Sequence, residues 1–194
     1  MPRIEAPISQ VTRDRAYWNK GVANVPMMTG AASVMDCSDL IDACRGLGVD
    51  LPLGDVLDVG CGTGRLAPLC QGYLGVDIAA DAVAYCHAQG VHARSFDEPC
   101  DLPEGPFDTI CCFSVFTHIN RADHVAYLAE FKTRSRQLLV DIIPGDGRGT
   151  VALWTARPVM FESDLRHAGY VVMATYDRTS PDGVTHRYYR AELA

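Results

Sequence analysis

The sequence predicts an α/β fold: a mostly parallel sheet, flanked by helices and closed by an antiparallel hairpin. Three observations carry this expectation. Short apolar runs alternate with helical segments beyond residue 50, the pattern of parallel strands joined by crossover helices. One of these runs, Val56-Leu57-Asp58-Val59, leads straight into the glycine-rich turn "GCGTG", as a strand buried on both faces leads into a ligand loop at its carboxyl end. The last two candidate strands are joined by "TSPDGV", whose Asp182-Gly183 pair suits a hairpin turn.

Taken in chain order, residues 1–36 hold Pro2, Pro7, Pro26 and Gly30 and the aromatic pair Tyr17 and Trp18, without a sustained period. They read as an N-terminal arm or lid over a domain of residues 37–194. From Ser38 the pattern becomes helical: Leu40, Ile41, Cys44 and Leu47 share one face, with Asp36 or Ser38 as cap and Gly48 as stop. Seven strands are expected, over Asp55–Val59, Tyr73–Asp77, His92–Phe96, Thr109–Phe113, Gln137–Ile143, Val171–Asp177 and Thr185–Ala191. Helices are expected near Arg65–Gln71, Asp81–Gln89, Arg121–Thr133 and Glu162–Ala168. The third of these begins on a reciprocal cap between Asn120 and Asp123 and should bury Val125, Leu128 and Phe131. The fourth stops at Gly169.

The 194 residues, 48% hydrophobic and 21% charged, suit a single globular domain with one sizeable core. A formal charge of −7 gives no general pull toward nucleic acid or anionic membrane, so small molecules or protein partners are expected instead. The first thirty residues carry Arg3, Glu5, Arg13, Asp14, Arg15 and Lys20 and no apolar core, which predicts neither signal peptide nor spanning helix and a cytoplasmic protein. The eight cysteines are scattered through apolar segments, form no Cys-x-x-Cys pair, and read as reduced, mostly buried thiols rather than zinc ligands. Cys111 and Cys112 should face opposite sides of a strand.

Gly60, Gly62 and Gly64 let the main chain approach a ligand more closely than a Cβ permits. A dinucleotide fingerprint would place Gly or Ala at the sixth position of the turn, where Arg65 stands, and a phosphate loop would place Lys and then Ser or Thr after a glycine, where none follows. Both nucleotide-phosphate readings are weakened.

The segment "VLDVGCGTGR" resembles motif I of the class I S-adenosylmethionine-dependent methyltransferases, and "YLGVDIA" resembles their second-strand acidic motif. Asp58, Gly60, Gly62, Gly64 and Asp77 match the family pattern residue by residue. The resemblance spans about residues 38–194 and implies a Rossmann-like seven-stranded sheet and S-adenosylmethionine as cofactor; the acceptor is expected to be a small metabolite, free or carrier-bound, methylated at oxygen or nitrogen. It implies that Asp77 accepts hydrogen bonds from the ribose hydroxyls, and that Asp58 orients the loop or the methionine amino group, to which the Gly60 carbonyl also turns. "RSFDEPCDLPEGPFDTICCFSVFTHI" resembles the next part of the family pattern. There Asp97 would meet the adenine amino group with Phe96 or Glu98 flanking the ring, and Phe113 and Ser114 would meet the methionine end.

Methyl transfer asks the protein mainly to position the acceptor and exclude water, with a base where the acceptor arrives protonated. His118 follows the fourth strand at the same sheet edge as the glycine turn and is the candidate base. Tyr17 and Trp18 could close over the site, and Trp154 and Arg157, after the fifth strand, could line the acceptor pocket. "FSVF" takes the place of the Asp/Asn-Pro-Pro-Tyr motif of methyltransferases acting on DNA and exocyclic amines. Phe113-Ser114 and "DIIPGDG" lack the metal site of catechol-type enzymes, so no metal is expected, although Asp141 and Asp146 stand nearby. A nucleotide-dependent oxidoreductase and a non-catalytic S-adenosylmethionine-binding protein remain as alternatives.

Overall fold

Helix α1, Ser38–Gly46, buries Leu40, Ala43 and Cys44 on one face, and Leu47 follows at its end. This 3.6-residue spacing makes it a cover for one face of the sheet. Asp36 Oδ1 accepts the Ser38 N–H at 2.9 Å, and Gly48 turns the chain out of the helix at φ +64°. The computed structural model describes residues 36–119, 121–145, 155–181 and 183–194. Tyr17 and Trp18 with nearly all of the expected arm, the Asn120 cap, Asp146, Trp154 and Asp182 lie outside the described residues.

The strands are β1 (Leu53–Val59), β2 (Cys70–Asp77), β3 (Ala93–Ser95), β4 (Phe107–Cys112), β5 (Ser135–Pro144), β6 (Thr155–Ala156), β7 (Tyr170–Thr179) and β8 (Thr185–Leu193). Their order is β3-β2-β1-β4-β5-β8-β7, with β6 pairing off this path to Ile143 and Pro144 of β5. The strands β1 to β5 are mutually parallel, and β8 runs antiparallel between β5 and β7. The seven expected strands and the terminal hairpin are all present; the two-residue β6 is an addition.

Helices α2 (Ala80–Ala88), α3 (Arg121–Phe131) and α4 (Pro158–His167) complete the layers. Leu57, Ile110, Cys112, Leu138, Val140 and Ile142 of the sheet join Leu128, Phe131, Phe161 and Leu165 of α3 and α4 in one core. Val56, Cys111, Leu139 and Tyr188 join the α1 residues in the other. Cys111 and Cys112 therefore do sit on opposite faces. Full burial of each large side chain stabilises by about 1.5–3 kcal/mol, so both faces of the sheet contribute to holding the carboxyl edge rigid.

Three local expectations fail. Residues 65–71 do not form a helix: a run of turns ends in a 3₁₀ turn at Ala67–Leu69, and β2 already begins at Cys70, opposite Leu53. Pairing β2 along the whole of β1 leaves too little chain for a helix, and Pro68 removes an N–H that one would need. Val125 is 49% exposed, because α3 buries the stripe His124, Tyr127, Leu128 and Phe131 and Val125 lies off it. Helix α4 also starts four residues before the expected Glu162, with Pro158 in the first turn, where its missing N–H costs nothing. Among the described residues no helix is long and apolar enough to cross a membrane.

Candidate active site at the carboxyl edge of the sheet

The glycine turn leaves the end of β1 and folds across β2, the Gly60 and Cys61 N–H groups both donating to Val76 O at 2.8 and 3.0 Å. Its glycines do different things. At Gly60, φ +74°, a Cβ would collide with Val115 Cγ2, so this position admits the loop that follows β4. At Gly62, φ +53°, a Cβ would meet nothing within 4 Å, so bare main chain faces open space. Gly64 packs against Val91 and Cys86. Arg65, at the sixth position, ties the turn to α1 through Asp39 Oδ2 at 2.9 Å and Asp36 O at 2.9 Å.

Two buried carboxylates lie beneath the turn. Asp77, 8% exposed at the end of β2, accepts from Gly62 N–H through Oδ2 and from Ala79 N–H through Oδ1, each at 2.8 Å. Burial raises its pKa, against the lowering effect of those N–H bonds. Asp58, 6% exposed on β1, accepts the Tyr73 hydroxyl at 2.8 Å. Burial pushes the Asp58 pKa up to about 7; the nearby Asp77 charge adds to this, while Tyr73 and Arg65 oppose it. A pair of carboxyl groups under open main chain suits a ligand that brings hydroxyl donors and positive charge. A ribose diol and a methionine ammonium supply both, so these residues fit S-adenosylmethionine.

The end of β4 forms the facing wall. Phe113 meets the Tyr188 ring edge-on with centroids 5.7 Å apart. Ser114 adopts φ +59°, a left-handed conformation that costs a non-glycine residue about 1–2 kcal/mol. Its N–H donates to Oδ1 of the fully buried Asp141 at 2.5 Å, and Asp141 Oδ2 lies 2.6 Å from His186 Nδ1. His118, half-buried, closes a turn by donating its N–H to Val115 O at 2.8 Å. His124 props this loop from below, its Nε2 2.9 Å from Phe116 O and 3.1 Å from Ile119 O and its ring stacked on Phe116. Burial lowers the His124 pKa, so it acts as a neutral donor to those carbonyls.

Asp97 is exposed just beyond β3. Phe96, which the sequence offered as a ring neighbour, is instead buried in the core, edge-on to Tyr127. Arg157 is exposed at the N-cap of α4, directly after β6 at the carboxyl end of β5. The described residues thus bring Asp58, the three glycines, Asp77, Asp97, Phe113, Ser114, His118 and Arg157 to one edge of the sheet. Sequence reasoning missed Tyr73 and His186 and placed no role on Asp141. An acid inside the apolar run "LLVDII" was the available signal, since such a group needs a partner. Among the described residues no group of three or more His, Cys, Asp or Glu side chains could hold a metal ion.

Residues 56–137 match the family model described as "Methyltransferase domain". Magnesium protoporphyrin IX methyltransferase from Synechocystis PCC 6803, crystallised with S-adenosylmethionine, superposes with a TM-score of 0.76 at 20% identity, over 98% of this chain and 100% of that one. The 1,6-didemethyltoxoflavin-N1-methyltransferase of Burkholderia thailandensis, crystallised with 1,6-didemethyltoxoflavin and S-adenosylhomocysteine, gives 0.72 at 18% identity, over 100% and 93%. The [4+2]-cyclase SpnF gives 0.70 at 14% identity, over 97% of each chain. At these identities the superpositions show the fold. The family match runs from the strand before the glycine turn into the fifth strand and so takes in the turn and both buried acids. That match, on this sheet order, supports a class I S-adenosylmethionine-dependent methyltransferase.

Proposed function

We propose that the chain transfers a methyl group from S-adenosylmethionine to an oxygen or nitrogen of a small-molecule metabolite, free or held on a carrier. The observation that carries this reading is the open main chain at Gly62 directly beside the Asp77 carboxylate. Asp77 accepts from the ribose hydroxyls, Asp58 and the Gly60 carbonyl hold the methionine ammonium, and Asp97 receives the adenine amino group. Phe113 and Ser114 form the wall at the methionine end. When bound, the cofactor supplies a methyl carbon already activated on a sulfonium. The chain's own residues therefore bind, orient and exclude water, and one histidine at this edge takes the acceptor's proton, His118 being the one the sequence nominates. Tyr17 and Trp18 would cover the site, and Trp154 and Arg157 would line the acceptor side, with Arg157 favouring an anionic acceptor.

The acceptor class is supported by the neighbours named for methylation of a porphyrin and of a toxoflavin precursor. A cytoplasmic setting is supported by free cysteines scattered through apolar segments. Titration calorimetry with S-adenosylhomocysteine and with NAD tests the cofactor, and NAD binding without S-adenosylhomocysteine binding sinks it. A panel of phenols, amines and carboxylic acids, followed by release of S-adenosylhomocysteine, tests the transfer. Binding without turnover across that panel would favour a protein that holds the cofactor without using its methyl group, a reading that the likeness to a cyclase keeps in view.

A further inference from the structure

The carboxyl edge holds a second histidine, His186, whose ring is held by a buried carboxylate. Asp141 sits on β5 with no exposed surface, and its two oxygens are directed to two different groups. Oδ1 holds the N–H of the left-handed Ser114, and Oδ2 holds His186 Nδ1 at 2.6 Å. His186 comes from β8, two residues before Tyr188, whose ring stacks on it at 6.2 Å and also meets Phe113. The His186 side chain is 20% exposed, so the ring reaches from a buried carboxylate to the surface of the site. One carboxylate therefore links the ring to the Ser114 turn at the methionine end.

An ionised carboxylate can only accept, so the Nδ1 that faces it carries the proton. In the neutral ring this makes Nε2 the basic nitrogen. The arrangement is that of a base oriented by a third group. We propose that His186, held by Asp141, is the base that takes the acceptor's proton, in place of His118. The proposal rests on the methyl-transfer reading above. As the acceptor's oxygen or nitrogen lone pair bonds to the methyl carbon, the carbon–sulfur bond breaks with its electrons onto sulfur. The acceptor's proton passes to His186 Nε2, and the Asp141 carboxylate stabilises the resulting imidazolium. Arg178 of β7 stands opposite His186 in the register of the terminal hairpin.

The test uses the full chain labelled with ¹⁵N-histidine, together with the acceptor panel and Asp141→Asn, His186→Asn and His118→Ala. In Asp141→Asn the new amide oxygen can keep the Ser114 bond, while the amide NH₂ group donates to Nδ1 and moves the ring proton to Nε2. The expected spectrum shows His186 with a protonated Nδ1 in wild type and a protonated Nε2 in Asp141→Asn. Turnover should fall by about 10²- to 10⁴-fold in Asp141→Asn and His186→Asn, with S-adenosylhomocysteine affinity within about threefold of wild type. Should Asp141→Asn fail to fold, His186→Asn, whose ring is partly exposed, carries the kinetic test alone. A wild-type His186 protonated at Nε2, or an active wild type whose His186→Asn variant matches it while His118→Ala fails, overturns the proposal alone. A wild type that binds S-adenosylhomocysteine yet methylates nothing overturns the methyl-transfer reading, and the base with it.

Discussion

The Tyr73 hydroxyl, on β2, donates to Asp58 Oδ2 on β1 at 2.8 Å. The two side chains meet beneath the glycine turn, where Asp58 has almost no contact with solvent. Removing the hydroxyl leaves a buried acceptor without its partner, a loss of about 1–3 kcal/mol. Tyr73→Phe should therefore weaken S-adenosylhomocysteine binding by about 5- to 100-fold while leaving the fold intact. Calorimetry and circular dichroism check this, and an unchanged Kd would separate Asp58 from cofactor binding.

Asp58 also sets a pH dependence. Its pKa in the folded protein, about 7, lies above its ordinary value of 3.8. Below the ordinary value both folded and unfolded chains hold the proton, so the group has no net effect. As pH rises from there through the folded value, the unfolded chain releases the proton first and stability falls. Asp77 is shifted in the same direction. The melting midpoint should therefore drop between about pH 4 and about pH 7, and Asp58→Asn should flatten that slope. A slope unaltered by Asp58→Asn would show that the carboxyl group is already ionised at the lower pH.

A ligand cation favours the ionised carboxylates, so affinity for S-adenosylmethionine should rise over the same interval. The expected gain is up to about tenfold per pH unit for one coupled proton. Calorimetry in buffers of different ionisation enthalpy should show proton release on binding near pH 7; proton uptake would contradict this account of the two acids.

Gly60 and Gly62 both lie at positive φ but differ in what surrounds them. Gly62→Ala meets only backbone strain, about 1–2 kcal/mol, in the protein alone and should be felt most as lost cofactor affinity. Gly60→Ala adds a collision with Val115 and should lower the melting temperature further. Equal melting temperatures for the two variants would show that Val115 moves aside without cost.

Thiol alkylation offers a check on the packing. Cys100 is exposed, whereas Cys44, Cys61, Cys86, Cys111 and Cys112 are buried. Iodoacetamide should modify Cys100 first in the native protein, with the buried thiols reacting only on unfolding. Early labelling of Cys111 or Cys112 would contradict the central position of β4.

Periodicity and turn chemistry make the sheet legible in the sequence, because β1, β4 and β5 are apolar on both faces and Gly48 and Gly169 stop helices in a recognisable way. Residues 65–71 misled because their composition allows a helix, and only the register of β2 on β1 excludes one. Val125 misled because one apolar residue cannot show which way a short helix is turned. The glycine turn and Asp77 were legible as a local motif. Tyr73, Asp141 and His186 were not, because their meaning lies in contacts across 15, 27 and 45 residues of chain that no local pattern records.

The insertion of β8 between β5 and β7 has a consequence for how the protein is made. β8 is translated after both strands it joins, so during synthesis the flank of β5 stands bare, with Leu138, Val140 and Ile142 beside it. A nascent chain halted before residue 185 has the glycine turn and both acids but offers an open strand to any neighbour. It also lacks His186, so if that ring is the base, the chain can grip its cofactor before it has the means to use it.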